Sequence, residues 1–186
     1  DAAVSRTTVE NLGSLPVADV ATTGAEVLAD GADVIEAHQV AIDEWMALMA
    51  NATIGLGNRA LEMGVAYAKE RYAFGVPIGS FQAVAHGLAD AATALDGGKL
   101  LAREAAWAAA EEPGRARELA ALAFGFCAQA ARRAADRSLH YHGGYGFMLE
   151  QDIQLYFRRA TAWPAQYGEP DTAYARAEAC RLGMGV

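Results

Sequence analysis

Between Trp45 and Tyr67 the larger side chains fall at steps of three and four residues: Trp45, Leu48, Met49, Ala52, Leu56, Ala60, Met63 and Tyr67. Only an α-helix gathers that spacing on one face, and here the stripe is unbroken for about six turns. A second stripe runs through Phe81, Val84, Leu88, Ala91, Leu95 and Leu101, until Glu111-Glu112-Pro113-Gly114 stops it. The third runs from about Arg115 through Leu119, Leu122, Phe126 and Ala130 to Leu139, and halts at Gly143-Gly144. Shorter helices are predicted over about Leu149–Trp163 and Asp171–Leu182. Long helices joined by short connections bury their stripes by packing side by side, so the spacing predicts a mainly α, up-and-down four-helix bundle. Its helices exceed the globular mean of about 11–12 residues, which makes the bundle elongated.

Residues 1–33 read differently. Val4–Val9 carries Ser, Arg and two Thr, and Leu15–Val20 alternates. Thr22-Thr23-Gly24 and Asp30-Gly31 are turn chemistry, so two or three short extended pieces are expected there. So few strands cannot close a sheet of their own. The segment is therefore expected to be the end of a β-region, with the bundle domain filling 34–186. Strands are expected in under about a tenth of the chain, all before Val34, since the stripes leave no room elsewhere. The chain opens at Asp1 without a methionine or a signal peptide and is expected to be part of something longer.

The composition removes several classes of function. Hydrophobic residues make up 53% of the 186, enough to build a core and too many for disorder. A net charge of −8 with no run of Lys and Arg excludes a basic nucleic-acid face. No apolar run reaches the roughly 18 residues that span a bilayer. Cys127 and Cys180 form no disulfide framework and no CxxC pair, which favours a reducing cytoplasm.

Two breaks could carry chemistry. Arg71-Tyr72-Ala73-Phe74-Gly75 sits where the first long helix stops. There a guanidinium offers a planar donor fork to a phosphate or carboxylate, and Phe74 can stack on a flat ring. The same residues also make an ordinary helix terminus, with a basic residue on the dipole and a C-cap glycine. His140-Tyr141-His142-Gly143-Gly144-Tyr145-Gly146 closes the third helix, and its glycines leave backbone amides free for an anion or a flat ligand. The two histidines are two apart, do not face one another on a helix, and have no nearby cysteine, so no metal site is expected. A role as polar surface or capping residues suits them better. Glu44, Glu70, Glu104, Glu150 and Glu169 are scattered and declare no carboxylate pair.

Read together, the two breaks resemble the acyl-CoA dehydrogenase family. Arg71-x-x-Phe74-Gly75 with a following Gln82 is similar to that family's signature; Leu88-Ala89-Asp90 and Ala105-Ala106-Trp107 resemble its next helix. Gly143-Gly144-Tyr145-Gly146-Phe147 and Tyr156-Phe157-Arg158 are similar to its glycine turn and the helix after it. The resemblance implies the end of a middle β-domain (1–33) followed by the C-terminal bundle (34–186). It implies FAD bound between domains and a neighbouring subunit, and α,β-desaturation of an acyl-CoA thioester with electrons passing to an acceptor. Arg71 is then expected on the FAD pyrophosphate, Phe74 at the adenine end and Gln82 on the cofactor. Gly143 and Gly144 approach the dinucleotide through backbone, and His140 stands where the family keeps a glutamine.

The departures concern the base. One family position for the catalytic Glu falls on Tyr167, before Gly168, and the other on Trp45, with Met46 where an arginine is common. Neither ring can take a carbon-bound proton as a carboxylate does. Glu169 and Glu44 lie two and one residues away, and one residue on a helix turns a side chain by about 100°. Arg159 replaces the Asp usual after Arg158. Three readings follow: a base-lacking subunit of a heteromeric dehydrogenase, some of which act on steroid-derived thioesters; a non-catalytic assembly module; or an active homo-oligomer using Glu169 or Glu44. Dimers or tetramers built through the bundle are expected, with Trp107 and the alanine-rich faces between copies. The chain alone is expected to be colourless and inactive.

Overall fold

The computed structural model describes residues 4–183. Residues 1–3 and 184–186, which the expected division assigns to its two units, lie outside them. Strands β1 (Ser5–Val9) and β2 (Val17–Ala21) pair antiparallel with Ser5 opposite Ala21 and Val9 opposite Val17. The Asn11 side chain organises their connection: its Oδ1 accepts from the Gly13 and Leu15 N–H groups at 3.1 Å each, and its Nδ2 donates to the Leu15 carbonyl at 2.8 Å. Gly13 lies directly on Ala162, where a Cβ would collide, so the loop docks on the bundle through a residue without a side chain.

Three long helices follow: α1 (Ala32–Glu70), α2 (Gln82–Glu111) and α3 (Pro113–His142). Between α1 and α2, β3 (Tyr72–Ala73) and β4 (Val76–Pro77) form a two-residue-deep hairpin that leads into a 3-10 turn, Ile78–Ser80. This corrects the expectation that extended structure lies only before Val34. Phe74 and Gly75 both have positive φ, 55° and 81°, as a tight I′-type hairpin turn requires, so the break reverses the chain as well as ending the helix. A single residue, Glu112, separates α2 from α3, with Pro113 at the first position of α3 where its missing N–H costs nothing. The helices α4 (Ile153–Ala162) and α5 (Pro170–Arg181) then pack back on α3. Short connections make the array an up-and-down bundle with α3 at its centre, touching all four other helices.

The core is closer packed than the stripes imply. Leu48 is 72% exposed and Ala52 is also exposed; the buried face of α1 is Met46, Ala50, Thr53, Gly57, Ala60, Gly64 and Ala68. Phe126 likewise stands at the surface, 37% exposed, while Phe124 and Cys127 are buried. The physical reason is backbone approach. A Cβ on Gly57 would stand 2.9 Å from the Ala131 Cα, one on Gly98 would stand 2.6 Å from the Ile54 Cδ1, and one on Gly64 would strike Ser138. Small residues thus hold the seams, and the bulkier ones of the predicted stripe flank them.

Candidate functional site

The chain's two breaks, some seventy residues apart in sequence, meet at one end of the bundle. A cleft of about 740 Å³ is lined there by Tyr67, Glu70 and Arg71 from α1, Ile78 from the turn, and Tyr141–Tyr145 from the end of α3. Two bonds fix the walls. The Ile78 N–H donates to the Arg71 carbonyl at 2.8 Å, closing the hairpin, and the Tyr141 hydroxyl donates to the Ala83 carbonyl at 3.2 Å, tying α3 to the start of α2. Gly87 has no Cβ because the Tyr141 hydroxyl occupies that space. Arg71 is exposed and makes no hydrogen bond or ion pair among the described residues. Gly143 has φ 62°, and nothing stands within 4 Å of a Cβ built on it or on Gly144, so their backbone is open to the cleft.

The other predicted binding residues surround rather than line this space. Phe74 is 96% exposed at the hairpin tip, edge-on to Phe81 at 6.3 Å. A bulky residue at positive φ is strained backbone, kept here at a fully exposed position. Gln82 is the exposed first residue of α2, and His140 is exposed on α3 beside Tyr141. His142 was expected at the surface as well, but it is only 6% exposed and stacks on Tyr67 at 4.1 Å. Its register gives the signal: Leu139 and Ala135, three and seven residues earlier, are on the buried face of α3.

Trp45 and Tyr167 come together although 122 positions separate them. Their ring centroids are 6.3 Å apart, and both pack on Phe124, at 5.3 and 6.0 Å. Three aromatic rings therefore fill one spot inside the bundle. Glu44 is exposed on α1, and Glu169 is 76% exposed, 4.0 Å from Arg132. Neither joins the aromatic cluster. Arg158 has a buried Nε without a partner among the described residues, and Arg159 lies over the Trp163 ring at 6.0 Å.

Sequence reading missed an ion network at the opposite end. Arg176 is 5% exposed; its Nη2 lies 2.6 Å from Asp43 Oδ1 and its Nη1 lies 2.7 Å from Gln39 Oε1. Arg117 donates to Asp43 Oδ2 at 2.7 Å and to Glu36 at 2.8 Å, and the bond to Asp43 raises its pKa above the ordinary arginine value. These partners are 74 and 133 residues from Asp43, so no local pattern announces them. A pocket of about 580 Å³ opens beside the network.

The model of the acyl-CoA dehydrogenase C-terminal domain matches residues 36–169. The chain belongs to the acyl-CoA dehydrogenase family. It is 32% identical over 164 residues to the acyl-CoA dehydrogenase IpdE2 of Mycolicibacterium smegmatis, covering 88% of this chain and 51% of that protein. It is 32% identical over 172 residues to FadE27 of Mycobacterium tuberculosis, covering 86% and 45%. Among solved structures, the ChsE4-ChsE5 complex from M. tuberculosis matches with TM-score 0.79 and 32% identity, over 98% of this chain and 49% of that one. This acyl-CoA dehydrogenase chain thus spans about half the length of the relatives it matches. The family is one of FAD-dependent oxidoreductases. The cleft suits such a group: an uncommitted guanidinium for a pyrophosphate, open glycine backbone for close approach, and a stacked aromatic floor. No helix among the described residues is long and apolar enough to cross a membrane, and no group of three metal-ligating side chains is found among them.

Proposed function

We propose that this chain forms part of a flavin-dependent acyl-CoA dehydrogenase in which it helps hold FAD across a subunit interface and leaves proton abstraction to a partner. One contrast carries the reading. The cleft keeps Arg71 beside Gly143 and Gly144, while Trp45 and Tyr167, at the two family positions for the base, jointly occupy one spot with rings. Glu44 and Glu169 are exposed outside that spot, which weighs against an active homo-oligomer built on either.

The roles follow from the side chains. Arg71 supplies the charged fork for a pyrophosphate, and Gly143 and Gly144 offer backbone without steric cost. Phe74 and Gln82 reach outward from the hairpin and the start of α2, towards the adenine end and the far side of the cofactor. His140 occupies the glutamine position on the outer turn of α3. The aromatic trio exclude water from the acyl region and hold no proton-accepting carboxylate. Bound FAD would accept the substrate β-hydrogen as hydride. Residues 1–33 serve as the last piece of a middle β-domain and 34–186 as the bundle that associates with further subunits as a dimer or tetramer. Electrons leave to an external acceptor, and the two free thiols suit a cytoplasmic setting. Without the remainder of the pocket, residues 1–186 are colourless and inactive.

The test uses the protein isolated with its native partners through a tag on this chain. In Glu44→Gln and Glu169→Gln complexes, acyl-CoA oxidation with an artificial acceptor should stay near the unmodified rate. Loss of most of that rate in either variant, with flavin still bound, would make this chain the catalytic one.

A further inference from the structure

His142 has a fixed tautomer, and its free nitrogen opens on the cleft. Its Nδ1 lies 2.7 Å from the Ser138 carbonyl, four residues back on α3. A carbonyl only accepts, so Nδ1 carries the proton. In the neutral ring Nε2 is then a bare lone pair. The ring is 6% exposed, stacked on Tyr67 from α1 with planes 22° apart, and a Cβ on Gly146 would stand 2.8 Å from its own Cβ. It is therefore held on both sides and has little freedom to turn. Nε2 has no protein partner among the described residues. It is also absent from their buried unpartnered atoms, which are Ser138 Oγ and Arg158 Nε. The ring lines the same cleft as Arg71, Gly143 and Gly144.

We propose that His142 is a positioning residue for the dinucleotide, its Nε2 accepting a hydrogen bond from a hydroxyl of the ligand's sugar portion. This rests on the flavin reading above and adds to it a contact of opposite polarity. Arg71 and the glycine N–H groups only donate, which suits phosphate oxygens; a sugar hydroxyl needs an acceptor to take its proton. Among the cleft's other side chains, Glu70 lies on the last turn of α1, exposed beside Arg71, whereas His142 lies within the buried floor. A neutral, rigid acceptor satisfies a hydroxyl there without placing a negative charge near the pyrophosphate.

Two measurements test this. In the chain labelled with ¹⁵N-histidine, the His142 nitrogens should show a protonated Nδ1 and a bare Nε2; a protonated Nε2 with bare Nδ1 overturns the proposal whatever the flavin does. The second follows FAD release, by the fluorescence of freed flavin, from the native complex carrying His142→Phe or His142→Gln. Phe keeps the stack on Tyr67 but no nitrogen, so FAD should leave about three- to tenfold more readily, the worth of one ordinary hydrogen bond. Gln places an acceptor near the position of Nε2 and should recover part of that loss although it gives up the stack. A purely structural role predicts the reverse order, with Gln worse than Phe. Release at the unmodified rate in both variants overturns the proposal alone, and a native complex without flavin overturns the flavin reading and this one with it.

Discussion

Cys127 illustrates how far one residue's surroundings decide its chemistry. It is fully buried between α3 and α2, its Sγ 3.3 Å from the Gly98 carbonyl, and burial pushes its thiol up to about 12. Cys180 is half-buried near the surface and only raised, chiefly by burial. A thiol reagent should therefore label Cys180 in the folded chain and reach Cys127 only on unfolding. The sign of the pH effect follows. A folded pKa above the unfolded one gives stability that is whole below the ordinary thiol value of 9.0 and lost as pH rises towards 12. A shift of that size corresponds to roughly 4 kcal/mol at most. Denaturant titrations at pH 8 and above should show this alkaline decline in the unmodified chain and a shallower one in Cys127→Ala. Equal slopes would mean the thiol is not the group responsible.

At the scale of the element, two glycines of α1 give opposite predictions. Gly57 abuts the Ala131 backbone, so Gly57→Ala must push α1 from α3 and should cost about 1–3 kcal/mol. Gly55 has nothing within 4 Å, so Gly55→Ala should stabilise by about 0.5–1 kcal/mol, the helix-propensity gain alone. Urea denaturation of both variants checks the pair; a destabilising Gly55→Ala would place that face against something. The helices themselves were legible, because a 3.6-residue period and Pro-Gly stops are local signals: α2 ends at Glu111, before the Pro that was read as its stop. What was not legible was the rotation of each helix about its axis. In an alanine-rich helix the closest seam is made by Gly57, Ala60 and Gly64, and their small side chains hardly register beside Leu48 or Trp45. The β3–β4 hairpin was missed because Phe at a positive-φ turn position runs against the turn preference for Gly and Asn.

Across the whole molecule, the Asp43 carboxylate joins α1 to α3 and α5 by accepting from Arg117 and Arg176. Removing it leaves the Arg176 guanidinium buried without its counter-charge, so Asp43→Ala should cost about 3–5 kcal/mol. Glu62→Ala, which breaks only the exposed pair with Arg59, should leave the melting temperature unchanged. A mild Asp43 effect would mean that water replaces the pair. This network was illegible in sequence because its members meet only after the bundle closes. The cleft was half legible: the Arg-Phe-Gly break and the glycine turn were each visible, but either alone also suits a helix end. Their convergence at one end of the bundle is a property of the fold, as is the meeting of Trp45 with Tyr167. That convergence underlies the proposal that this chain lends a cofactor-binding half-site to an assembly whose base lies elsewhere. Its most direct test is the flavin content of the native complex carrying Arg71→Ala. Loss of the charged fork should lower FAD retention about 10- to 100-fold, corresponding to roughly 1.5–3 kcal/mol, while the complex stays assembled by light scattering. Full flavin occupancy in an intact Arg71→Ala complex, undiminished on dilution, would contradict the account.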